Sequence, residues 1–216
     1  MIDFQAAIFD LDGTLLDSMG VWEDIDVEFL AKRELSVPDD YINEICALSF
    51  QEAAEYTIKL FGLSEEPAAI INEWNDMALS KYSHTVRMKQ YAGEYLSKLK
   101  ARGTKLAVAT GLPPVLYIPA LRNNGILDLF DVLCSTEEVA RGKEFPDIFL
   151  YAAERMKVAP ENCIVFEDIF PAVCSARQAG MKVYGVYDKS SAAYWESILK
   201  TADGVLYDFQ FAPIPV

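Results

Sequence analysis

The stretch "QAAIFDLDGTLLDS", residues 5–18, decides how this chain is read. Its first half is a short, unbroken apolar run, the pattern of a strand covered on both faces in a parallel sheet rather than one with a wet side. At the end of that run stand Asp10 and Asp12, two residues apart, with Leu11 between them directed to the other face because strand side chains alternate. Two carboxylates at the rim of an apolar strand repel each other and lose hydration, so their placement needs a chemical reason.

The same kind of strand recurs further along. From about residue 104, the apolar runs "KLAVAT" (105–110), "FDVLCS" (130–135), "NCIVFED" (162–168), "MKVYGVY" (181–187) and "GVLY" (204–207) alternate with helically spaced segments at 94–100, 115–123, 147–156 and 171–178. Alternation of this kind predicts an α/β fold, a Rossmann-like doubly wound parallel sheet with helices on both faces. Pro113 and Pro114 sit where the helix after residue 110 should begin.

Between residue 18 and residue 84 the pattern changes. "VWEDIDVEFLAKREL", "PDDYINEICALSFQEAAEYTIKLFG" and "SEEPAAIINEWNDMALSKYS" are helix-rich and hold no convincing strand. Pro38 and Pro67 fall near helix starts and Gly62 reads as a helix stop. The expected organisation is a sheet-based core over residues 1–17 and 85–216, interrupted by an all-helical module over 18–84.

Composition narrows the function classes. With 33 acidic against 19 basic residues, a formal charge of -14 and no Lys/Arg run, the chain is a poor partner for nucleic acid or an anionic membrane. The N-terminus carries Asp3 where a secretory signal needs positive charge, and no run of 18 apolar residues occurs, so a cytoplasmic protein is expected. Cys46, Cys134, Cys163 and Cys174 lie far apart without C-x-x-C spacing, which predicts reduced, buried thiols rather than zinc ligands or disulfides. Oligomeric state leaves no trace in the sequence.

In open α/β sheets ligands gather outside the carboxyl ends of the strands. There this chain offers Asp10 and Asp12, Thr110 and Gly111, Glu167 and Asp168, with Lys143 in the loop "EEVARGKEFPDIF". Carboxylates about 4 Å apart repel by about 4 kcal/mol at an effective dielectric near 20, so the acids cannot converge without a cation. Oxygen ligands with no His or Cys beside them favour Mg²⁺, which accepts one or two carboxylates together with substrate phosphate. Once a phosphate enters, positive charge is short and a proton retained on one carboxyl becomes a general acid.

The segments "DLDGT", "AT" followed by Gly111, "GK" followed shortly by "PDIF", and "FED" resemble, in order and spacing, the four motifs of the haloacid dehalogenase superfamily. The helical insert resembles the cap of its first subclass, which holds phosphoglycolate phosphatase-like and β-phosphoglucomutase-like enzymes. The resemblance implies a Mg²⁺-dependent phosphatase acting on a small phosphorylated metabolite. It implies Asp10 as the nucleophile that forms an aspartyl-phosphate, and Asp12 as acid and then base, its backbone carbonyl also a metal ligand. It further implies Thr110, the Gly111 amide and Lys143 as the phosphate-binding groups. Asp10, Asp12 and Asp168, with Glu167 acting through water, would hold the metal. Dehalogenases of the superfamily lack an acid at the position of Asp12, so its presence points to a phosphate ester.

The chain departs from the resemblance at several places. Gly111 stands where Ser or Asn is usual, Glu144 where Pro is usual, and Ile169 and Ala172 replace a Ser and a Gly. β-Phosphoglucomutase-like mutases carry a His where this chain has Trp22, and basic cap residues where "ALSFQEAAEY" has none. Hydrolysis is therefore the first reading and a sugar-phosphate mutase the alternative. A non-catalytic or phospho-accepting Mg²⁺-binding domain is a third, disfavoured by the D-x-D spacing and the large insert. Trp22 and Phe50 are candidates to line a substrate pocket, while Tyr56 and Trp74 fit core packing. His84, the one histidine, is expected in the segment leading out of the insert.

Overall fold

The computed structural model describes residues 3–38, 41–45 and 50–215, so Cys46 lies outside the described residues, as does the side chain of Phe50. The contacts within the chain divide it into two units, Met1–Met19 with Val86–Val216, and Gly20–Thr85.

The first unit is built on a six-stranded sheet. Its strands are β1 (Ala6–Phe9), β4 (Lys105–Thr110), β5 (Val132–Ser135), β6 (Cys163–Glu167), β7 (Lys182–Val186) and β8 (Gly204–Leu206). Every pairing in it is parallel and the order is β5-β4-β1-β6-β7-β8. The α/β reading of the sequence thus holds. Succession runs outward from β1 in both directions, so β1 marks the point where the winding reverses, and a crevice opens at its carboxyl end. Asp10 is the first residue past that end, its amide donating to the Phe166 carbonyl of β6 at 3.1 Å.

The two faces of β1 are filled differently, as a strand buried on both sides requires. Ala6 and Ile8 join Ala107, Ala109, Val165 and the helix residues Phe149 and Ala152 in one apolar layer, where small residues admit the helix α7 (Asp147–Met156) closely. Phe9 faces the other way, stacked on Phe166 at 4.8 Å between ring centroids, and edge-on to Tyr95 of α5 (Ala92–Ala101) at 6.2 Å. Burial of this layer holds β1 rigid beneath its polar tip.

A second, two-stranded antiparallel sheet pairs β2 (Leu16–Asp17) with β3 (Arg87–Met88), Leu16 opposite Met88 and Asp17 opposite Arg87. The sequence reading did not include it, since two residues cannot establish a period. The helix α9 (Trp195–Thr201) is a further element beyond that reading.

The second unit is helical: α1 (Val21–Ala31), α2 (Tyr41–Ile45), α3 (Phe50–Phe61) and α4 (Pro67–His84). Its core includes Ile25, Phe29, Leu30, Ala54, Ile70, Trp74 and Ala78. Phe29 meets Trp74 edge-on at 5.4 Å. Arg33 joins α1 to α4 by ion pairs to Glu65 at 2.9 Å and Glu73 at 2.7 Å. Gly62 ends α3 with φ of +65° and Pro67 opens α4. His84 is the exposed last residue of α4. No helix among the described residues is long and apolar enough to cross a membrane.

Candidate active site

At the carboxyl rim of the sheet, the chain past β1 turns tightly. The amides of Thr14 and Leu16 both donate to the Leu11 carbonyl, and Gly13 donates back to Leu16 at 3.0 Å. The turn requires Gly13, whose φ is +77° and whose α-carbon lies so close to the Asp168 carboxylate that a Cβ would collide with it. Thr14 Oγ donates to Asp168 Oδ1 at 3.3 Å, which ties this turn to the end of β6.

Three of the residues singled out in the sequence meet directly here. Lys143 Nζ donates to Asp10 Oδ1 at 2.5 Å and, by a still shorter contact, to Glu167 Oε1. The other Glu167 oxygen accepts the amides of Asp168 and Ile169 at 2.9 and 3.2 Å. That bond explains how Ile169 can open the helix α8 (Phe170–Gln178) with no capping side chain of its own. Thr110 is fully buried at the end of β4, its Oγ accepting the Leu112 amide at 3.1 Å. Beside it Gly111 is exposed, with open space where a Cβ would stand.

The electrostatics follow from burial. Asp10, Lys143, Glu167 and Asp168 are all buried, the lysine being the most exposed of them at 9%. Burial lowers the affinity of Lys143 for its proton, but Asp10 and Glu167 outweigh that and lift it above the ordinary lysine range. Glu167 is raised by burial against the opposing pull of Lys143. Asp168 is also raised, first by burial, then by the charges of Glu167 and Asp10. One lysine does not balance three acids, and Glu167 and Asp168 hold their protons tightly.

The residues fit a divalent cation. Asp10, Glu167 and Asp168 each offer a carboxylate oxygen, and these atoms lie within 4.8 Å of one another. Asp168 Oδ2 is buried and has no hydrogen-bond partner among the described residues, a costly state unless a positive ligand meets it. With oxygen donors only, the set suits Mg²⁺.

Several residues that complete the site carry no motif. Ser18, buried, donates to Asp12 Oδ1 at 2.5 Å and fixes the orientation of that carboxylate. Ser175 on α8 donates to the Lys143 carbonyl at 2.5 Å. Arg141 braces the same loop through a two-pronged pair with Asp147 at 3.1 and 2.7 Å, stacked 4.1 Å from the Phe145 ring centroid. Glu144, in the position expected to hold Pro, is exposed, and the loop is held by these contacts instead. Trp22 lies on α1 and is half-buried. Cys134 and Cys163 are free buried thiols, each pushed up to about 12 chiefly by burial, and Cys174 is free as well.

A parallel sheet with acids at the switch-point rim, a lysine between two of them and a carboxylate oxygen open to a cation is the arrangement of a protein that handles phosphoryl groups. Residues 7–186 match the model of the haloacid dehalogenase-like hydrolase family, and the chain belongs to that family. Curated relatives include a phosphorylated carbohydrates phosphatase of Thermotoga maritima, 26% identical over 84% of this chain and 85% of that protein. Another is the fructose-1-phosphate phosphatase YqaB of Escherichia coli, 28% identical over 85% and 96%. The β-phosphoglucomutase of Bacillus subtilis is 30% identical over 84% and 83%. Among solved structures, a candidate β-phosphoglucomutase from Thermotoga maritima matches with a TM-score of 0.83 at 25% identity, covering 94% of each chain.

Proposed function

We propose that this protein is a Mg²⁺-dependent phosphatase that hydrolyses a small phosphorylated metabolite, of the sugar-phosphate kind, through an aspartyl-phosphate on Asp10. The observation that carries the reading is the Lys143 ammonium held between Asp10 and Glu167 beside the orphaned oxygen of Asp168. The names of the phosphatase relatives support the substrate class.

In this mechanism an Asp10 oxygen attacks phosphorus and the bond from phosphorus to the ester oxygen breaks. Asp12 gives its proton to the departing alkoxide. Asp12 then takes a proton from water, which attacks phosphorus; the bond to Asp10 breaks and inorganic phosphate leaves. Lys143 holds the Asp10 carboxylate in place and supplies positive charge to the phosphoryl oxygens, with Thr110 and the Gly111 amide as further donors. Glu167 orients Lys143. Mg²⁺, held by Asp10 and Asp168 with the Asp12 carbonyl, and by Glu167 through water, would supply the remaining positive charge on the transferring group. Substrate choice is assigned to the helical unit, as a cap, with Trp22 and Phe50 as contact residues, and the setting to the cytoplasm.

A mutase reading draws on the Bacillus subtilis relative. Trp22 at the place of the mutase histidine and the absence of Lys or Arg between Ala47 and Tyr56 favour hydrolysis. The test is phosphate release from an aryl phosphate and from a panel of sugar phosphates, with Mg²⁺ and with EDTA. Release that needs Mg²⁺ and disappears in Asp10→Asn is expected. Full activity in Asp10→Asn would overturn the mechanism, and isomerisation of a hexose 1-phosphate without phosphate release would establish the mutase.

A further inference from the structure

The same rim holds a buried ion pair that the chemistry above does not use. Lys89 follows β3 directly, and its Nζ donates to Asp188 Oδ2 at 2.6 Å and to the Tyr187 carbonyl at 3.0 Å, just past the end of β7. Side-chain exposure is 13% for the lysine and 8% for the aspartate, so this is no solvated surface pair of small consequence. The other Asp188 oxygen accepts both the amide and the hydroxyl of Ser190, at 2.8 and 2.7 Å, which leaves the carboxylate fully engaged and fixed in place.

What Lys89 holds is as informative as what holds it. Its amide donates to the Leu15 carbonyl at 2.8 Å, and the preceding residues pair with Leu16 and Asp17 in the small sheet. Leu16 in turn closes the turn around Asp12, accepting from Gly13 and donating to Leu11 at 2.8 Å. A continuous series of bonds therefore runs from the β7 end through Asp188, Lys89, Leu15 and Leu16 to the segment that carries Asp12. The strands β2 and β3 are two residues each, too short to hold their own register, and among the described residues no other strand pairs with β2.

We propose that Lys89 is a positioning residue: anchored on Asp188, it pins the β2–β3 strap and, through Leu15 and Leu16, fixes the turn that presents the Asp12 carboxylate. The assignment rests on reading Asp12 as the acid and base of a phosphatase. A displacement of that turn of the order of an ångström is enough to slow proton transfer by as much as 10²-fold while leaving binding of the phosphate group intact.

Charge and position can be separated. Asp188 adds, after burial, Glu167 and Asp10, to the field that raises Asp168. If Lys89 served only to cancel that charge, neutralising both partners would restore the enzyme; if it pins the strap, it would not. The experiment compares Lys89→Met, Lys89→Arg and the double variant Lys89→Met with Asp188→Asn in the full chain. It uses kcat, KM, thermal midpoint and hydrogen exchange at the Leu16 and Lys89 amides. We expect Lys89→Met to lower kcat by about 10- to 100-fold with KM within about twofold, and both amides to exchange at least about tenfold faster. The double variant should recover the thermal midpoint to within about 2 °C of the parent yet keep the low kcat and fast exchange, with Lys89→Arg recovering part of both. Parent-like exchange in Lys89→Met, or kcat recovered in the double variant, would overturn the proposal. Should Lys89→Met not fold, the charge-matched double variant carries the same test. Exchange does not depend on turnover, so a parent protein that releases no phosphate would refute the phosphatase reading and leave the strap result standing on its own.

Discussion

Replacing Asp26 by Asn should stabilise the helical unit, and by an amount that depends on pH in a defined way. Asp26 lies on α1 in the layer that also holds Ile25 and Phe29, with 8% of its surface exposed. Among the described residues no donor reaches its carboxylate, and burial, followed by the charge of Glu23, pushes it up to about 7. Its charge also reaches the Tyr41 hydroxyl, which bonds Thr57 Oγ at 2.8 Å. In the unfolded chain the group titrates near its ordinary value of 3.8. Below that value both states hold the proton and folding is unaffected. As the pH rises toward 7 the unfolded chain gives the proton up and the folded one keeps it, so stability falls; above 7 the loss is complete. At about 1.4 kcal/mol per pH unit the ceiling on that loss is about 4 kcal/mol, of which the interval from pH 5 to 7 carries about 3. Asn keeps the shape and has no charge to bury. Urea unfolding followed by tryptophan fluorescence in a Trp195→Phe background reads Trp22 and Trp74, both in the helical unit. Between pH 5 and pH 8.5 the stability of Asp26→Asn relative to its parent should rise by about 2 to 3 kcal/mol, a difference in which all other titrating groups cancel. A relative stability constant to within about 0.5 kcal/mol would mean that Asp26 ionises as it does in water, and the reasoning from burial would be wrong.

Three further outcomes follow from the rim. Asp168 and Glu167 hold protons tightly, a stabilisation present at low pH and lost as the pH rises through their raised values; Mg²⁺ must displace those protons, so its thermal shift measured against EDTA should be larger at pH 8.5 than at pH 6. An equal shift at both would show that the metal does not meet these carboxylates. Gly13→Ala should cost at least about 2 kcal/mol in denaturant unfolding and abolish the Mg²⁺ shift, because the new methyl group needs both a left-handed backbone and the space of the Asp168 carboxylate; a variant of parental stability that still takes up Mg²⁺ would contradict the close approach. Ser18→Ala removes a donor to Asp12 and should lower kcat about tenfold, roughly 1.4 kcal/mol of barrier, with KM and thermal midpoint little changed. A parental kcat would assign the serine to packing alone.

How much of this was legible in the sequence depended on the range of the interaction. The five later strands were read within one or two residues at each end, "KLAVAT" as Lys105–Thr110 and "NCIVFED" as Cys163–Glu167, because a strand buried on both faces writes its whole length in apolar residues. Asp10, Lys143 and Glu167 were legible as rim residues because the ends of such strands are where polar side chains become affordable, and the structure joins them in one bonded group. What escaped was pairing between short pieces far apart in the chain. The β2–β3 strap links residues about seventy positions apart through two-residue strands, and Lys89, Asp188 and Ser175 acquire these partners only once the sheet exists. No local pattern of residue types marks such a lysine apart from one on a solvated surface.

The rim also shows why positive charge has to come from several directions. Lys143 is 133 residues from Asp10 in the chain and reaches it only because β5 and β1 lie on either side of β4. Its loop is then held at the backbone by Ser175 and at the surface by Arg141, neither of which approaches the acids themselves. A lysine this constrained gives up rotamer freedom, and in exchange its charge stands fixed where the proposed mechanism needs it. Glu167 is the counterpart on the acidic side: with one oxygen on Lys143 and the other on two backbone amides, it is held from both ends and acts as a fixed stop for the lysine. Asp168 is the exception, retaining one buried oxygen with nothing to accept from. Among the described residues it is the one fully buried carboxylate oxygen left without a hydrogen-bond partner, and it is where a cation would add most.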